Sequence, residues 1–362
     1  RDIFVAGAEK NGVAKGRASE LFDLMEKFAG YGFNKSHAAA YALVAYQTAY
    51  AKAHHAAAFM AANLSAVIND TDKVQGIYID ALANGLKVLP PDINAGEYRF
   101  VPVDDKTIRY GLGAVKGTGE SAISAIVRAR DGDGSQGKAG GPFKNLFDFG
   151  SRIDKRIVNR RVIEALVRAG AFDSINDHRA SLLASVGIAI EAAEQAERDA
   201  QQVSLFGGAE DTHHHRIELV ERPRWREPER LQAEKAVLGF YLSGHPFSAY
   251  REEVRKFIGG DLRNLTPAGE GDYGGRIQLI AGVVESVRAQ RMQSGRMMIV
   301  DLGDGTARQE VFVYPEVFEK YRDIVKEDSV LVMEVKVRLV RRAAPDEGEG
   351  DTAAMRVSAE RI

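Results

Sequence analysis

The 362-residue sequence contains no cysteine. It therefore has no disulfide, no thiolate nucleophile and no zinc or iron–sulfur site held by cysteine. A chain without cysteine also fits a reducing compartment, so we expect a cytoplasmic protein.

Long apolar runs are missing as well. The most apolar stretch, residues 38–64, is built from Ala and Tyr and contains Lys52, His54 and His55. It is too polar to span a bilayer, which takes roughly 20 apolar residues. The chain opens at Arg1 without a basic-then-apolar leader, so we expect no membrane segment and interpret the sequence as a piece of a longer protein.

Neither sign of charge dominates, because 49 Lys and Arg stand against 51 Asp and Glu, for a net charge of -2. A nucleic-acid-binding surface must therefore come from local charge. Such an excess lies between Lys106 and Arg179, where 14 basic residues face 8 acidic ones. This segment favours a polyanionic ligand.

Residue groupings typical of catalysis are not found. Two-metal phosphoryl transfer needs carboxylates brought together on rigid elements, and a Ser or Thr nucleophile needs a partnered base. Neither pattern is readable, and the consecutive histidines from His213 to His215 cannot all face one ion. We therefore predict no catalytic residue, metal site or cofactor site within this chain.

The sequence pattern predicts a multidomain protein. Residues 1–95 form an Ala-rich all-α segment, residues 96–190 a helical segment with two helix–hinge–helix arrangements, and residues 191–272 a linker with short helices. Residues 273–362 alternate in polarity over five short strands, with a helix between the third and fourth. That order is typical of a small β-barrel of the OB fold.

The first hinge of the helical segment is Lys116-Gly117-Thr118-Gly119, directly before a predicted helix. Two glycines allow a tight turn that aims successive backbone N–H groups outward, as a helix-hairpin-helix does when it binds a phosphate without reading bases. The alternative is an ordinary helix turn with solvated charges.

A second, weaker copy follows a helix predicted over residues 155–166. It contributes Arg160, Arg168 and Gly170 as candidate phosphate-binding residues. The same alternative remains open for this copy.

Another candidate anion site lies in the first segment. We predict Ser36 to be the N-cap of an Ala- and Tyr-rich helix, which would place Lys35 and His37 at the helix N-terminus beside free backbone N–H groups. The alternative is a glycine turn whose Lys and His are simply solvated.

The linker contains an isolated apolar pair in the run Gln202-Val203-Ser204-Leu205-Phe206. Exposed Leu and Phe in a mobile segment are unfavourable in water unless a pocket receives them, so a short docking peptide is one interpretation. The peptide could equally dock on its own domain.

The barrel offers a strand face and a predicted loop, residues 289–296, as a site for a single strand of nucleic acid. Arg288, Arg291 and Arg296 would contact phosphates, and Phe312 or Tyr314 would stack on bases. A barrel that only packs against neighbouring domains is the alternative.

Several strings of the sequence resemble the alpha subunits of bacterial DNA polymerase III, the replicative C-family DNA polymerases. The strings are IFVAGAEKNG (3–12), EKFAGYGFNKSH (26–37), YALVAYQT (41–48), LPPDIN (89–94), YGLGAVKG (110–117), GAFD (170–173) and GFYLSGHP (239–246). They are long and specific, and the resemblance covers essentially the whole chain.

The resemblance implies an order of parts: the end of the polymerase fingers, a tandem helix-hairpin-helix that holds duplex product, a peptide for the sliding clamp, and an OB domain near the template strand. It implies Gln202 as the hydrogen-bonding anchor of that peptide, with Leu205 and Phe206 as its hydrophobic plugs. It also makes Asn34, Lys35 and His37 candidates for contacts near the triphosphate or primer terminus.

The palm, whose carboxylates hold two Mg²⁺ ions in this family, lies upstream in such proteins and is not among these residues. The regions that contact the exonuclease and the clamp loader are likewise not recognised here. The helix after His54-His55 continues with Ala56, where the family commonly has Pro.

We therefore predict the C-terminal part of a replicative DNA polymerase, a DNA-directed nucleotidyltransferase. This part would bind DNA and dock on the clamp but would be inactive alone. Its expected partners are primer–template duplex, single-stranded template, the clamp and other replicase subunits. The alternative function is a stand-alone repair or recombination module that binds DNA through its hairpins and barrel.

Overall fold

The computed structural model describes residues 1–29, 35–132, 140–206, 218–267, 275–292, 295–342 and 352–362. These residues divide into two compact units. One unit comprises residues 1–89 with 99–110, and the other comprises residues 90–98 with 111–362.

The first unit is helical, with one small sheet. Its elements are α1 (Asp2–Lys10), α2 (Lys15–Ala29), α3 (Lys35–His54), α4 (Ala56–Ala66), α5 (Thr71–Ala83), β1 (Lys87–Leu89), β2 (Val101–Asp104) and β3 (Thr107–Arg109). Strand β3 is central, since it pairs parallel with β1 and antiparallel with β2.

The core of the first unit forms where α4 meets the sheet. Met60 and Leu64 of α4 are buried, and the Phe100 and Tyr110 rings meet edge to face with their centroids 4.7 Å apart. The backbone N–H of Phe100 donates a hydrogen bond of 3.0 Å to the hydroxyl of Ser65, which attaches the sheet to the helix.

The helical part of the second unit surrounds an aromatic core. Its elements are a 3₁₀ turn (Leu112–Ala114), α6 (Glu120–Asp131), α7 (Leu146–Arg152), α8 (Arg160–Ala169), α9 (Arg179–Phe206), α10 (Glu227–Leu238), a 3₁₀ turn (Pro246–Ala249), α11 (Arg251–Val254) and a 3₁₀ turn (Leu262–Asn264). Phe143, Phe149 and Phe172 are buried and pack edge to face, with centroids 4.9 and 5.0 Å apart.

Helix α8 begins later than the sequence predicts. The amide oxygen of Asn159 accepts from the backbone N–H of Val162, so Asn159 is the N-cap and the helix starts at Arg160. The helix predicted over residues 155–166 is therefore wrong at its start.

Five strands form the closed barrel. They are β4 (Arg276–Met292), β5 (Gly295–Gly303), β6 (Arg308–Val313), β7 (Val330–Arg342) and β8 (Thr352–Arg361), with α12 (Pro315–Tyr321) between β6 and β7. The strand order is β4-β5-β6-β8-β7, with β7 returning to β4. This closed five-stranded barrel, with its helix between the third and fourth strands, confirms the predicted OB fold.

The barrel is filled by aliphatic side chains that alternate along each strand. The fully buried members of its core include Val284, Val300, Leu302, Val311, Val313, Met333, Val335, Val337 and Val357. Outward positions are mixed, because exposed Ile277, Leu279 and Val332 lie there beside charged side chains.

The loop predicted over residues 289–296 is mostly paired strand. Arg291 lies opposite Arg296 and Met292 lies opposite Gly295, so only residues 293 and 294 separate the two strands. A connection this short is typical of a tight hairpin, which extends the ladder to its end.

Asp304, which is 1% exposed, ties a 3₁₀ turn to the barrel. Its carboxylate accepts from the backbone N–H groups of Leu262 (2.8 Å), Thr306 (2.7 Å) and Ala307 (3.0 Å). Burial alone would raise the pKa of Asp304, but these hydrogen bonds outweigh burial and lower the pKa below its ordinary value.

We expect Asp304→Asn to lower the free energy of unfolding of the barrel by about 1–3 kcal/mol at pH 7, because an amide cannot accept all of these hydrogen bonds. The contribution of Asp304 is present above the unfolded-state pKa of about 3.9 and is lost as the pH falls through the lower folded-state value. The deficit of the variant should therefore shrink in acid.

Urea unfolding at pH 7 and pH 3, followed by amide exchange of the barrel strands, measures this difference. The exposed Asp323→Asn is the matched control and should cost little at either pH. An equal deficit of Asp304→Asn at both pH values would contradict the assignment.

Candidate nucleic-acid interface

The first hinge, residues 116–119, is a tight turn between the 3₁₀ turn and α6. Gly117 adopts a positive φ of 85°, and no atom lies within 4 Å of the position that a Cβ would take. Thr118 is buried, and its hydroxyl lies 2.8 and 2.6 Å from the carbonyl oxygens of Leu112 and Val115. Thr118 therefore shapes the turn from inside, while Lys116 and Gly119 are exposed.

Backbone donors converge at this hinge. Within the described ranges, the N–H groups of Gly117, Gly119, Glu120 and Ser121 have no hydrogen-bond acceptor. The last two belong to the first turn of α6, where the helix dipole adds positive potential. The Glu120 carboxylate offsets part of this potential, but the Lys116 ammonium adds to it. The hinge is thus suited to hold a phosphate oxygen.

The second hinge, residues 170–178, is built differently. Gly170 is buried at the C-cap of α8 with a φ of 83°, and a Cβ there would collide with the guanidinium of Arg179. That guanidinium donates to both carboxylate oxygens of Asp173, with Nη2 to Oδ2 at 2.6 Å, and to the carbonyl of Arg168 at 3.2 Å. Arg179 therefore closes the second hinge from within, and Gly170 shapes it.

Arg179 also forms a buried ion pair with Glu234 of α10. Nη1 of Arg179 lies 3.3 Å from the Glu234 carboxylate, and the two side chains are 5% and 1% exposed. Burial alone would lower the pKa of the Arg179 guanidinium, but the Asp173 and Glu234 charges outweigh it and raise that pKa. Removing either side chain would leave the other buried without its partner.

Helix α10 connects the two hinges. The Glu234 carboxylate accepts from the backbone N–H groups of Leu242 (3.0 Å) and Ser243 (2.8 Å). The carbonyl of Val237, one turn further along α10, accepts from the backbone N–H of Lys116 at 2.8 Å. The same short helix thus holds the first hinge through its backbone and the second through a carboxylate.

The segment that starts with α10 also reaches the barrel. Asp328 accepts from the ammonium of Lys235 (2.6 Å) and from the hydroxyl of Tyr241 (2.9 Å). Burial would raise the pKa of Asp328, but the Lys235 and Tyr241 contacts lower it overall. Phe247 packs on Ala281 of β4 in a small buried cluster. This part of the predicted linker segment therefore contacts the barrel through ionic, hydrogen-bonded and apolar contacts.

The basic side chains predicted beside the second hinge lie on α8. Arg160 is exposed and Arg168 is half-buried, and both pair with Glu164, at 2.8 and 3.7 Å respectively. One acidic side chain therefore compensates two basic ones.

The predicted clamp peptide forms the end of α9. The backbone from Gln202 through Val203, Ser204 and Leu205 to Phe206 is helical. The sequence predicts a peptide that follows a helix, whereas in the structure it is the last part of that helix. The residues after it, 207–217, lie outside the described ranges, as do the three histidines among them.

The candidate anion-binding residues of the first unit lie on the first turn of α3. Lys35 and His37 are exposed there, and the His37 ring lies 4.3 Å from the ring of Tyr41. Ser36 lies within this turn, so it is not the N-cap that the sequence predicts. Asn34 lies outside the described residues.

The five candidates on the barrel have different surroundings. The Arg288 guanidinium contacts Asp301 and Glu310, and the hydrogen bond to Glu310 is the main cause of its raised pKa. Arg291 and Arg296 are exposed at the end of the β4–β5 hairpin.

The two aromatic candidates lie at the end of β6. Phe312 is half-buried, and the Arg356 guanidinium carbon lies 4.5 Å from the centroid of its ring. Tyr314 is half-buried at the N-cap position of α12.

Sequence reasoning missed Glu234. The buried residues of α10 are Leu231, Glu234, Val237 and Leu238, so the carboxylate occupies a core position in an apolar helix face. A charged residue at such a position is the signal that could have revealed a buried ion pair, because unpaired charges are rarely buried.

Two negative findings apply to the described part of the chain. No three His, Cys, Asp or Glu side chains come together there in a group that could hold a metal ion. No helix in those same ranges is long and apolar enough to cross a membrane.

Comparison with known proteins finds a matching family model and several similar proteins. Residues 85–182 match a family model described as a helix-hairpin-helix motif. The chain is 45% identical over 351 residues to the DNA polymerase III subunit alpha of Neisseria meningitidis serogroup B, covering 97% of the chain and 29% of that protein. The corresponding subunits of Vibrio cholerae and Escherichia coli K12 are 43% and 42% identical over 93% of the chain and 28% of those proteins.

These matches confirm the resemblance that the sequence strings carry. The chain spans less than a third of the length of these relatives.

Substitution of the two hinge glycines by Ala should lower the free energy of unfolding by different amounts. Gly117→Ala should lower the free energy of unfolding by about 1–2 kcal/mol, because it adds only the strain of a left-handed residue. Gly170→Ala should cost about 3 kcal/mol or more, because it displaces Arg179 and leaves Glu234 buried without its partner.

Urea unfolding followed by circular dichroism compares the two variants, with Gly117→Ala as the matched control. Equal losses in the two would mean that the Arg179 contacts do not stabilise the second hinge.

Proposed function

We propose that this chain, which belongs to the DNA polymerase III alpha family over the segment that it spans, serves template-directed DNA synthesis by holding DNA and docking on the sliding clamp. The observation that carries this proposal is the first hinge, where an exposed Lys116 accompanies four backbone N–H groups without a described acceptor. The excess of basic residues from Lys106 to Arg179 supports it.

Contacts of this kind would hold duplex DNA of any sequence. Backbone N–H groups and Lys or Arg side chains bind phosphates, which carry no base information. A replicative enzyme must move over every sequence, so contacts that do not read bases suit it. Lys116, Arg160 and Arg168 would supply the charges, while Thr118 and Gly170 keep the hinges in shape.

The residues from Gln202 to Phe206 would bind the sliding clamp. Their place at the end of a 28-residue helix supports this, because terminal turns open at low free-energy cost and can adapt to a pocket. Once the peptide binds a ring around the DNA, rebinding becomes intramolecular at high effective concentration. The polymerase would then rarely leave the primer.

Nucleotidyl transfer itself would come from another part of the parent polymerase. There, carboxylates of the palm would hold Mg²⁺, which stabilises the charge that develops on the transferred phosphate. In this chain, Asn34, Lys35 and His37 would lie near the incoming triphosphate or primer terminus. The chain alone would not extend a primer, and the parent protein would work in the cytoplasm with other replicase subunits.

We expect Lys116→Ala combined with Arg160→Ala to weaken binding of duplex DNA equally for unrelated sequences. Loss of two phosphate contacts should also reduce the slope of log K against log salt by about 2. Fluorescence anisotropy with two unrelated duplexes over a salt series measures both effects.

The matched control is Arg322→Ala with Lys326→Ala, two exposed positions beyond α12. Duplex binding that is unchanged in the hinge variant, or reduced as much in the control, would remove the first hinge from the DNA interface.

The triple variant Gln202→Ala, Leu205→Ala, Phe206→Ala should lose binding to the bacterial sliding clamp while retaining duplex binding. The control variant Glu194→Ala, Gln195→Ala, Arg198→Ala changes exposed positions earlier on α9 and should bind the clamp as wild type does. Surface plasmon resonance on immobilised clamp compares the three proteins. Clamp binding that survives in the triple variant would contradict the role of the peptide.

A further inference from the structure

The contact between α10 and the barrel is built around a single carboxylate oxygen. Oδ1 of Asp328 accepts a hydrogen bond of 2.6 Å from the Lys235 ammonium and one of 2.9 Å from the Tyr241 hydroxyl. The Lys235 ammonium also lies 5.3 Å from the centroid of the Tyr241 ring. Burial, followed by the hydrogen bond to Asp328, raises the pKa of Tyr241, so its hydroxyl keeps the proton that it donates. Each of the three side chains thus contacts the other two, and we call them the Asp328 triad.

Asp328 reaches this position through an unusual backbone conformation. It lies in the turn between α12 and β7, and it is the only non-glycine residue with a positive φ, 65°, among the residues that the structure describes. Its backbone N–H donates to the carbonyl of Val284 at 2.8 Å, and the N–H of Val284 donates to the carbonyl of Ser329 at 2.9 Å. Non-glycine residues in the left-handed region are uncommon and cluster at sites with a role beyond folding. The turn is thus fixed on β4 while it presents its carboxylate to α10.

The two donors of the Asp328 triad are held in place by the second hinge. Glu234 precedes Lys235 on α10 and forms the buried ion pair with Arg179. The Glu234 carboxylate also accepts from the backbone N–H of Leu242 at 3.0 Å, and Leu242 directly follows Tyr241. The ion pair therefore orders both the helix turn that carries Lys235 and the chain turn that carries Tyr241.

A separate set of contacts attaches the following segment to the barrel. Phe247 packs on Ala281 of β4. Further along the chain, the backbone N–H of Leu262 donates to the buried Asp304 at 2.8 Å. The segment from Phe247 to Leu262 therefore belongs with the barrel, whereas the turn before it is held by α10. The Asp328 triad spans the boundary between these two parts, with its donors on one side and its acceptor on the other.

We propose that Asp328 is a positioning residue that fixes the barrel to α10, and thereby to the two hinges, as one body. Without its carboxylate both parts remain folded, since each has its own buried core, but the barrel turns about the chain between Ser243 and Phe247. The carbonyl of Val237 on the same helix accepts from the N–H of Lys116, so the barrel keeps one orientation relative to the first hinge. This inference goes beyond the proposed function, because it needs no ligand at the hinge.

The test removes the carboxylate and, separately, its two donors. Asp328→Gly deletes the carboxylate and suits the positive φ, so the turn itself should keep its conformation. The donor variant, Lys235→Met with Tyr241→Phe, removes both hydrogen bonds and leaves Asp328 in place. Its matched control is Lys320→Met with Tyr321→Phe, which makes the same two changes on α12, where the Lys320 ammonium lies 5.1 Å from the Tyr321 ring centroid.

Double electron–electron resonance between two spin labels measures the position of the barrel. The chain contains no cysteine, so Glu191→Cys on α9 and Glu360→Cys on β8 place two unique labels at exposed positions. We expect one narrow distance distribution in the wild-type chain and in the control. Asp328→Gly and the donor variant should each widen the distribution about twofold or more, because further orientations become populated.

Combining the changes tests whether they act through the same contact. Asp328→Gly added to the donor variant should widen the distribution no further than either change does alone, since both remove the same hydrogen bonds. Circular dichroism checks that every variant is folded. The donor variant decides the question by itself if Asp328→Gly does not fold.

A donor variant with a distribution as narrow as that of the control would overturn the inference. Additive widening on combining the changes would also overturn it, because Asp328 would then act through other groups. The wild-type chain is titrated with duplex DNA in parallel. Absence of duplex binding would contradict the proposed function, while the distance distributions would still decide the inference.

Discussion

The carboxylate of Glu234 is the group on which the arrangement of the second unit depends. Its side chain is 1% exposed, and it accepts hydrogen bonds from the Arg179 guanidinium and from two backbone N–H groups. Breaking a buried ion pair by removing one partner typically costs about 3–5 kcal/mol. This one carboxylate therefore joins the second hinge, α10 and the turn at Leu242.

The two hinges have similar sequences but opposite roles in this arrangement. At the second hinge, Arg179 turns inward and closes the turn on Asp173 and Glu234. At the first hinge, the backbone N–H of Lys116 donates to Val237, while the N–H groups of Gly117, Gly119, Glu120 and Ser121 have no described acceptor. One hinge is thus closed by a buried ion pair, and the other keeps backbone donors without a described acceptor. Helix α10 contacts both hinges, through the Glu234 carboxylate and the Val237 carbonyl.

Much of this architecture follows from local sequence pattern. The alternation in residues 273–362 predicts the barrel, and Gly117 and Gly119 predict a tight turn at the first hinge, since both signals are local. The parts that sequence misses depend on distant partners. Strand β1 has only three residues, and it is a strand because it pairs with β3. The side-chain cap of Asn159 sets the start of α8 at Arg160. The carboxylates that pair with Arg288 belong to Asp301 and Glu310 on other strands. Glu234 shows the same limit, because its partner lies 55 residues earlier in the chain.

The most direct test of the central claim is amide hydrogen exchange of this chain with and without a primer–template duplex. If the first hinge binds phosphates through its backbone, the amides of Gly117, Gly119, Glu120 and Ser121 should exchange more slowly in the complex. The amides of Ala171 and Asp173 in the second hinge already donate within the protein and should change little. Unchanged exchange of the Gly117, Gly119, Glu120 and Ser121 amides while the duplex is bound would contradict the account.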